Sequence, residues 1–562
     1  MWLINNCTKR LEFIQNPEKG TYAILSHTWG NNELSFQQCQ DGIPATRTGE
    51  GLEKILKTCE LALQRDLRYS WVDTCCIDKL SSAELSEAIN SMFKWYSDAA
   101  VCFVYLSDVK AGDSFGRAFA ACRWLKRGWT LQELVAPRDV EFYDATWNKR
   151  SSKAESISFL SDCTDIDREV LQNSVNLSRI PVARRMSWAS LRETTRIEDT
   201  AYCLMGIFNI HMPMIYGEGA KAFMRLQEEI AKQSCDLSLF AWTAELPQSD
   251  ESDMLSENTR EEYRGLFARS PREFYNCGTI IPGQMGGLME RDFTITNKGV
   301  RMETTLVRSV IAGGDGILNL SVRQRPQAST TDTRGWLGVY LAKTPLGYVR
   351  SMPYKLYTAG KDLRSVHIKK EVYIRKEIDS VDQIALQDRF LRSLHLRSKP
   401  QGSNLVQMMP KGLWDPIRQL FIHQAWGINA YVHCKFPCCD GESFHAVVGC
   451  STIQEPVCQV WTSEHKTFSR VIEHMEYRTE LTDYVAVDYF RQYFYRGFNC
   501  TSTSRLTSSK AAFQCKLGDR EVIVTASLVL GEYERTEAYF LDISTEVHYI
   551  QAEPLVNVSS TR

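Results

Sequence analysis

The 562-residue chain has almost no net charge: 66 Lys and Arg stand against 68 Asp and Glu, a formal −2. That balance removes any global electrostatic case for nucleic acid or an anionic membrane as partner. No apolar run approaches a membrane span, and the opening MWLINNCTKRLEF has no apolar signal-peptide core, so neither a span nor a secretory route is expected. There is no GxxxxGK[ST] phosphate loop and no GxGxxG after any predicted strand. These absences argue against a P-loop enzyme and against hydride transfer on a dinucleotide fold. Paired C-x2-C spacing is missing too, although the chain has 18 cysteines. Scattered thiols without a signal peptide are expected to be reduced and buried as small hydrophobes. Adjacent Cys75 and Cys76 are poorly placed to share a metal. His433, Cys434, Cys438, Cys439, His445 and Cys450 form a loose grouping of metal-binding types, to which the spacing assigns no metal.

What is present is an ordinary globular composition, 43% hydrophobic and 24% charged, whose texture changes along the chain. Over residues 1–150 strands alternate with helices. TYAILSH (21–27), YSWVDT (69–74), VCFVYL (101–106) and VEFYDA (140–145) read as strands, with helical stripes at 52–63 and 85–96. Ser81 and Glu84 have capping-box spacing before the second stripe. Such alternation predicts an α/β fold with a doubly wound parallel sheet. Residues 151–240 read as a helical extension, with helical apolar spacing over 187–208 and 217–234. Residues 241–258 are polar and acidic, as in a linker, and 259–562 carry short alternating runs that predict antiparallel β domains. No internal repeat or propeller-blade signature is visible there.

In doubly wound sheets ligands sit beyond the carboxyl ends of the strands. Those ends carry Ser26, His27, Thr28, Trp29 and Gly30 after the first predicted strand, and Asp73, Cys76 and Asp78 after the second. Next comes RGWTLQELVAP (127–137), which reads as a short helix stopped by Pro137. Leu131, Leu134 and Val135 share one helical face, and Trp129 and Glu133 the other. A carboxylate beside an indole suits a pocket for a flat ring and a sugar. The competing reading is an amphipathic helix with a solvated glutamate and a half-buried tryptophan. His27 also reads as a core or capping histidine, Asp73 as a turn cap, and Glu198 and Asp199 as helix-start and interdomain salt-bridge residues.

Taken together and in order, YAILSHTWG, WVDTCCIDK, RGWTLQELVAP, RIEDTAYCLMGIF and MPMIYGEGAKAFMRLQEEI resemble the heterokaryon incompatibility (HET) domain of filamentous fungi. The resemblance covers about residues 20–235. It implies a fungal, cytoplasmic effector of incompatibility-type programmed cell death, an innate-immunity-like role. A more distant similarity links GWTLQEL to the S-x-W-C-x-x-E-L segment of TIR domains, with Thr130 in place of the cysteine and Arg127 in place of the serine. It implies a TIR/flavodoxin-like core in which Glu133 is catalytic. Ser26, His27, Trp29, Gly30, Asp73 and Trp129 would then bind the substrate. The implied reaction is hydrolysis of NAD+ to nicotinamide and ADP-ribose, with NAD+ as substrate, no metal and no required cofactor. The implied partners are further copies of the chain and another incompatibility protein. Two alternatives stay open: a non-catalytic adaptor acting by oligomerisation, and a β-domain ligand sensor that restrains the N-terminal half.

Overall fold

Six consecutive buried residues, Tyr22–His27, make the central strand of the N-terminal sheet, as a strand covered on both faces requires. In chain order the strands of this sheet are β1 (Trp2–Asn5), β2 (Leu11–Phe13), β3 (Tyr22–His27), β4 (Tyr69–Trp71), β5 (Val101–Tyr105), β6 (Val140–Tyr143) and β7 (Lys149–Ser152). They lie side by side as β2-β1-β4-β3-β5-β6-β7. β4, β3, β5 and β6 run parallel to one another, which gives the expected parallel centre. Because β3 sits between the strands that follow it in sequence, the winding changes direction there, and a ligand crevice is favoured beside its carboxyl end.

The sheet is not parallel throughout. β1, β2 and β7 extend its two edges antiparallel. Each is only three or four residues long, and β7 reads KRSS, with no apolar alternation to mark it.

The helices between the parallel strands form where the apolar spacing places them. Glu50–Leu63 buries Leu52, Ile55, Cys59 and Ala62, and carries Glu50 and Glu53 in its first turn, where acidic groups complement the helix dipole. Ser82–Asp98 starts at Ser81, whose hydroxyl accepts the Glu84 amide at 3.3 Å. Its far end is tied to β3: Tyr22 Oη donates to the Trp95 carbonyl at 2.6 Å, and Tyr96 Oη to the Leu25 carbonyl at 3.0 Å. The stretch 187–208, expected to be helical, is instead a loop carrying two single turns, Asp199–Tyr202 and Met205–Phe208. Trp188, Tyr202, Leu204, Met205, Ile207 and Phe208 are buried, but Leu191 and Ile197 are exposed, and 193 crosses to pair with 127 as an isolated bridge. The next helix runs Lys221–Gln233, starting four residues after Gly217.

The computed structural model describes residues 1–44, 48–245, 263–283, 292–308, 316–325, 335–344, 347–359, 366–387, 393–399, 404–409, 414–415, 418–422, 429–435, 443–450, 456–462, 508–517, 520–533 and 536–549. Most of the expected linker therefore lies outside them. The chain divides into two compact units. The first comprises Met1–Ser309, Ile317–Tyr340 and Arg350–Val372, and the second Val310–Gly316, Leu341–Val349 and Tyr373–Arg562.

Within the first unit, Gln227 on the Lys221–Gln233 helix exchanges two hydrogen bonds with the backbone of Ala268, at 2.8 and 3.0 Å. Arg350 is fully buried there. Its guanidinium donates to the carbonyls of Phe240 (2.9 Å) and Trp242 and lies 3.8 Å from the Trp242 ring.

The second unit is β-rich, as expected. Arg520–Tyr533 pairs antiparallel with Ser508–Leu517 and Thr536–Tyr549, turning Val522, Val524, Ala526 and Leu528 into a core with Leu394, Leu541 and Ile543. In its second sheet His433 pairs in register with His445. Cys438 and Cys439 lie outside the described residues, and no group of metal-ligand side chains occurs among those described. No helix among the described residues is long and apolar enough to cross a membrane.

Candidate functional site

At the carboxyl end of β3 the side chains part. Ser26 and His27 are consecutive strand residues, so they leave opposite faces of the sheet. The Ser26 hydroxyl donates to Glu133 Oε2 and accepts the Trp124 indole N–H at 2.7 Å. Ser26, Trp124 and Glu133 thus form one buried chain, although Ser26 and Glu133 are 107 residues apart.

Glu133 lies on the helix Thr130–Val135, every residue of which is buried. That corrects the amphipathic expectation. The helix has no solvated face, and Thr130, Gln132 and Glu133 are enclosed along with the leucines. The Glu133 residue is 6% exposed, and burial pushes its carboxyl up to about 7. The Ser26 hydrogen bond opposes the shift, Asp73 adds to it, and the Arg127 and Arg192 charges oppose it. A carboxyl so placed is divided between acid and anion at neutral pH.

On the other side, His27 lies between two carboxylates. Nδ1 is 3.8 Å from Asp73 and Nε2 is 3.5 Å from Glu33. Glu33 is also held by Lys54 at 2.6 Å and by the Gly30 amide at 2.8 Å; His27 first, then these two, keep its carboxyl down at about 2 against the cost of burial. The Gly30 amide, an expected substrate contact, is therefore already engaged. Asp73 reaches further and accepts the Trp29 indole N–H at 2.8 Å. Trp29, at 40% exposure, is the open edge of this cluster.

Trp129 does not join the group around Glu133. It precedes the first turn of the helix and hydrogen-bonds to Asp199, which also accepts Tyr216 Oη at 3.1 Å. Its expected role of covering a bound ring is not what its contacts favour, since the indole is committed to RIEDTAYC. Glu198 and Asp199 do stand at a helix start, as the N-cap and first residue of Asp199–Tyr202, but among the described residues neither forms an ion pair. Glu198 accepts the amides of Gly217 (2.8 Å) and Gly219 (3.1 Å). These contacts join three of the segments that carry the resemblance. Gly128 lets them close: a Cβ there would lie 2.6 Å from Thr194 Cγ2 and 3.1 Å from Cys203 Sγ.

Two further groups fix the Glu133 helix from its carboxyl end. Lys153, 1% exposed, donates to the Pro137 carbonyl at 2.7 Å and to Asn173 Oδ1 at 3.0 Å. Asn173 Nδ2 donates to Val135 O at 2.9 Å. The carbonyls a helix leaves unpaired at its end are thereby satisfied. Surrounded by neutral partners, the Lys153 ammonium is pushed down to about 7 by burial. Asn173 has a left-handed backbone, φ 53°, which asparagine tolerates better than alanine does. Asn173→Ala should therefore destabilise the chain by about 2–3 kcal/mol, combining lost hydrogen bonds with backbone strain. Asn173→Gly should recover about 1 kcal/mol of that in urea unfolding, by relieving the strain alone. Equal losses in the two variants would remove the backbone part of this account.

Trp124 and Lys153 were missed in the sequence. Trp124 falls in a short turn with no periodic signal, and Lys153 follows an edge strand that has none. Cys75 and Cys76 are buried as expected, and Cys75 is raised well above an ordinary thiol, chiefly through its hydrogen bonds to Cys39 and Cys76, with burial adding to them.

Residues 22–121 match the family described as Heterokaryon incompatibility protein (HET), and residues 221–312 match a domain of unknown function, DUF8212. Vegetative incompatibility protein HET-E-1 of Podospora anserina is 48% identical over 221 residues, which make up 38% of this chain and 16% of that protein. The match thus spans a small part of the relative's length. No solved structure matches the chain.

Proposed function

We propose, on the premise that this chain carries a fungal HET domain in its N-terminal part, that it is a cytoplasmic incompatibility-type effector that hydrolyses NAD+ through Glu133 in a TIR-like pocket. The observation that carries the reading is Glu133 itself, a buried carboxyl at about 7 held by Ser26 beside the carboxyl end of β3. The order β4-β3-β5-β6 supports it, because in wound parallel sheets ligands sit beyond the carboxyl ends of the strands where the strand order reverses.

In the proposed reaction the bond between nicotinamide and ribose C1′ breaks, and the electron pair leaves with neutral nicotinamide. Water adds at C1′, and one proton is released. The ribose passes through an oxocarbenium-like state. The ionised Glu133 carboxylate would face it, accept from its hydroxyls and offset the developing positive charge. No general acid is needed, since nicotinamide departs uncharged.

The active form is the carboxylate, so turnover should fall as pH drops below about 7. Ser26→Ala removes a hydrogen bond that stabilises the anion. It should move the midpoint of the kcat–pH profile up by about one unit, and an unmoved profile would detach Ser26 from the reaction.

The direct test measures NAD+ loss and nicotinamide release for the full chain under forced clustering, wild type against Glu133→Ala. Equal turnover in the two removes Glu133 from the mechanism. The adaptor reading draws on the same enclosure of Glu133, since a knot of Ser26, Trp124 and Glu133 also serves as core. Cell death with intact NAD+ pools favours the adaptor.

A further inference from the structure

The Trp29 edge carries two cations that the proposed chemistry does not use. Lys79 Nζ lies 3.7 Å from the Trp29 ring centroid and the Arg127 guanidinium 5.4 Å from it. Neither makes an ion pair among the described residues, whereas neighbouring cations in the same unit do. Lys54 is paired with Glu33 and Glu50, Arg150 with Asp144, and Arg225 with Glu218. The Arg127 backbone is fixed, since its carbonyl accepts Arg192 Nη1 at 2.9 Å and its neighbour Gly128 donates to Glu193 O at 2.8 Å. Among the described residues its side chain makes no ion pair, and it lies over the indole.

Two positive charges on one half-open aromatic ring, neither in an ion pair among the described residues although Asp73 and Glu33 act on Lys79 from nearby, make a local anion site at the carboxyl end of the central strands. Arg127 stands three residues before Thr130–Val135, the helix that carries Glu133, and the Arg127 and Asp73 charges both act on that carboxyl. A ligand cradled there and reaching Glu133 therefore presents negative charge at its middle and a sugar further in. That describes a nucleoside diphosphate linked through its terminal phosphate to a second sugar.

We infer that Lys79 and Arg127 form a diphosphate-binding rim at Trp29, which makes the site selective for dinucleotides over nucleosides. The inference rests on the NAD+ reading for the identity of the inner sugar, and on the rim geometry for the diphosphate. Charge-assisted contacts of this kind contribute about 1.5–3 kcal/mol each, or about ten- to hundredfold in affinity.

The test is calorimetric binding of ADP-ribose and of adenosine to the full chain, for wild type, Lys79→Gln with Arg127→Gln, and Lys79→Arg. The double variant should bind ADP-ribose at least about tenfold more weakly, with adenosine binding unchanged, while Lys79→Arg keeps most of the affinity. Wild-type affinity for ADP-ribose should also fall with added salt. An unchanged ADP-ribose affinity in the double variant, a parallel loss for adenosine, or no ADP-ribose binding by wild type would overturn the rim. NAD+ turnover by the same samples keeps the two ideas apart. Turnover with an indifferent rim leaves hydrolysis standing and removes the rim, and rim-dependent binding without turnover does the reverse.

Discussion

Glu133→Gln is expected to lower NAD+ turnover by about 10²–10³-fold, the usual cost of losing a preorganised electrostatic contact, and at the same time to stabilise the folded chain above pH 8. The second half follows from the sign of the shift. The carboxyl moves from 4.5 to about 7 on folding, so the folded state favours the protonated form. Its contribution is fully present below pH 4.5 and is lost as pH rises through 7. The loss comes to about 3 kcal/mol once the group is ionised. Glutamine cannot ionise, and it still accepts from Ser26. Urea unfolding at pH 4 and pH 8 reads this out, with similar midpoints at pH 4 and a higher midpoint for the variant at pH 8. A variant that is less stable at both pH values would mark Glu133 as core and end its catalytic assignment.

The second large effect is on stability alone. Arg350→Met should destabilise the first unit by about 3–5 kcal/mol, the range for breaking a buried charged cluster from one side. Arg350 is fully enclosed, and its guanidinium is pushed down to about 9 by burial, with Glu273 opposing that shift. Removing it leaves the carbonyls of Phe240 and Trp242 without their donor, while methionine fills only the apolar part of the space. Arg397→Ala, at an exposed pair with Asp542, is the control that should change little. If both variants unfold at the wild-type midpoint, the Arg350 contacts contribute nothing. The same residue bears on truncation: a chain cut near 240 would lose Arg350 together with Trp242 and leave the end at Phe240 without its donor, so toxicity changes in such a fragment would mix release with unfolding.

The central strands were legible because burial on both faces leaves continuous apolar text, as in Tyr22–Leu25 and Val101–Tyr105. Ser26 was legible because strand ends are where this architecture collects polar groups, and Glu133 through its place on the 127–137 helix and the similarity of GWTLQEL to a TIR segment. The edge strands were not, since β2 and β7 are short and half exposed and their pairing is decided by neighbours far along the chain. The false helix at 187–208 has the same origin. Trp188, Tyr202, Met205 and Phe208 bury themselves at helical spacing, but the hydrogen bonds of Arg192 and Glu193 to 126–128 pull the backbone between them out of a helix. The bond between Trp124 and Ser26 spans 98 residues, and no local pattern encodes it.

The closed environment of Glu133 sets a quantitative condition on the resting chain. If the conformer that admits a nucleotide is about 1% populated, the apparent affinity is weakened about a hundredfold. Any contact that favours the admitting conformer would restore it without altering one side chain of the pocket. Quiescence then needs no inhibitor. It is a property of an equilibrium poised against the competent state, and a trigger would have only about 3 kcal/mol to supply.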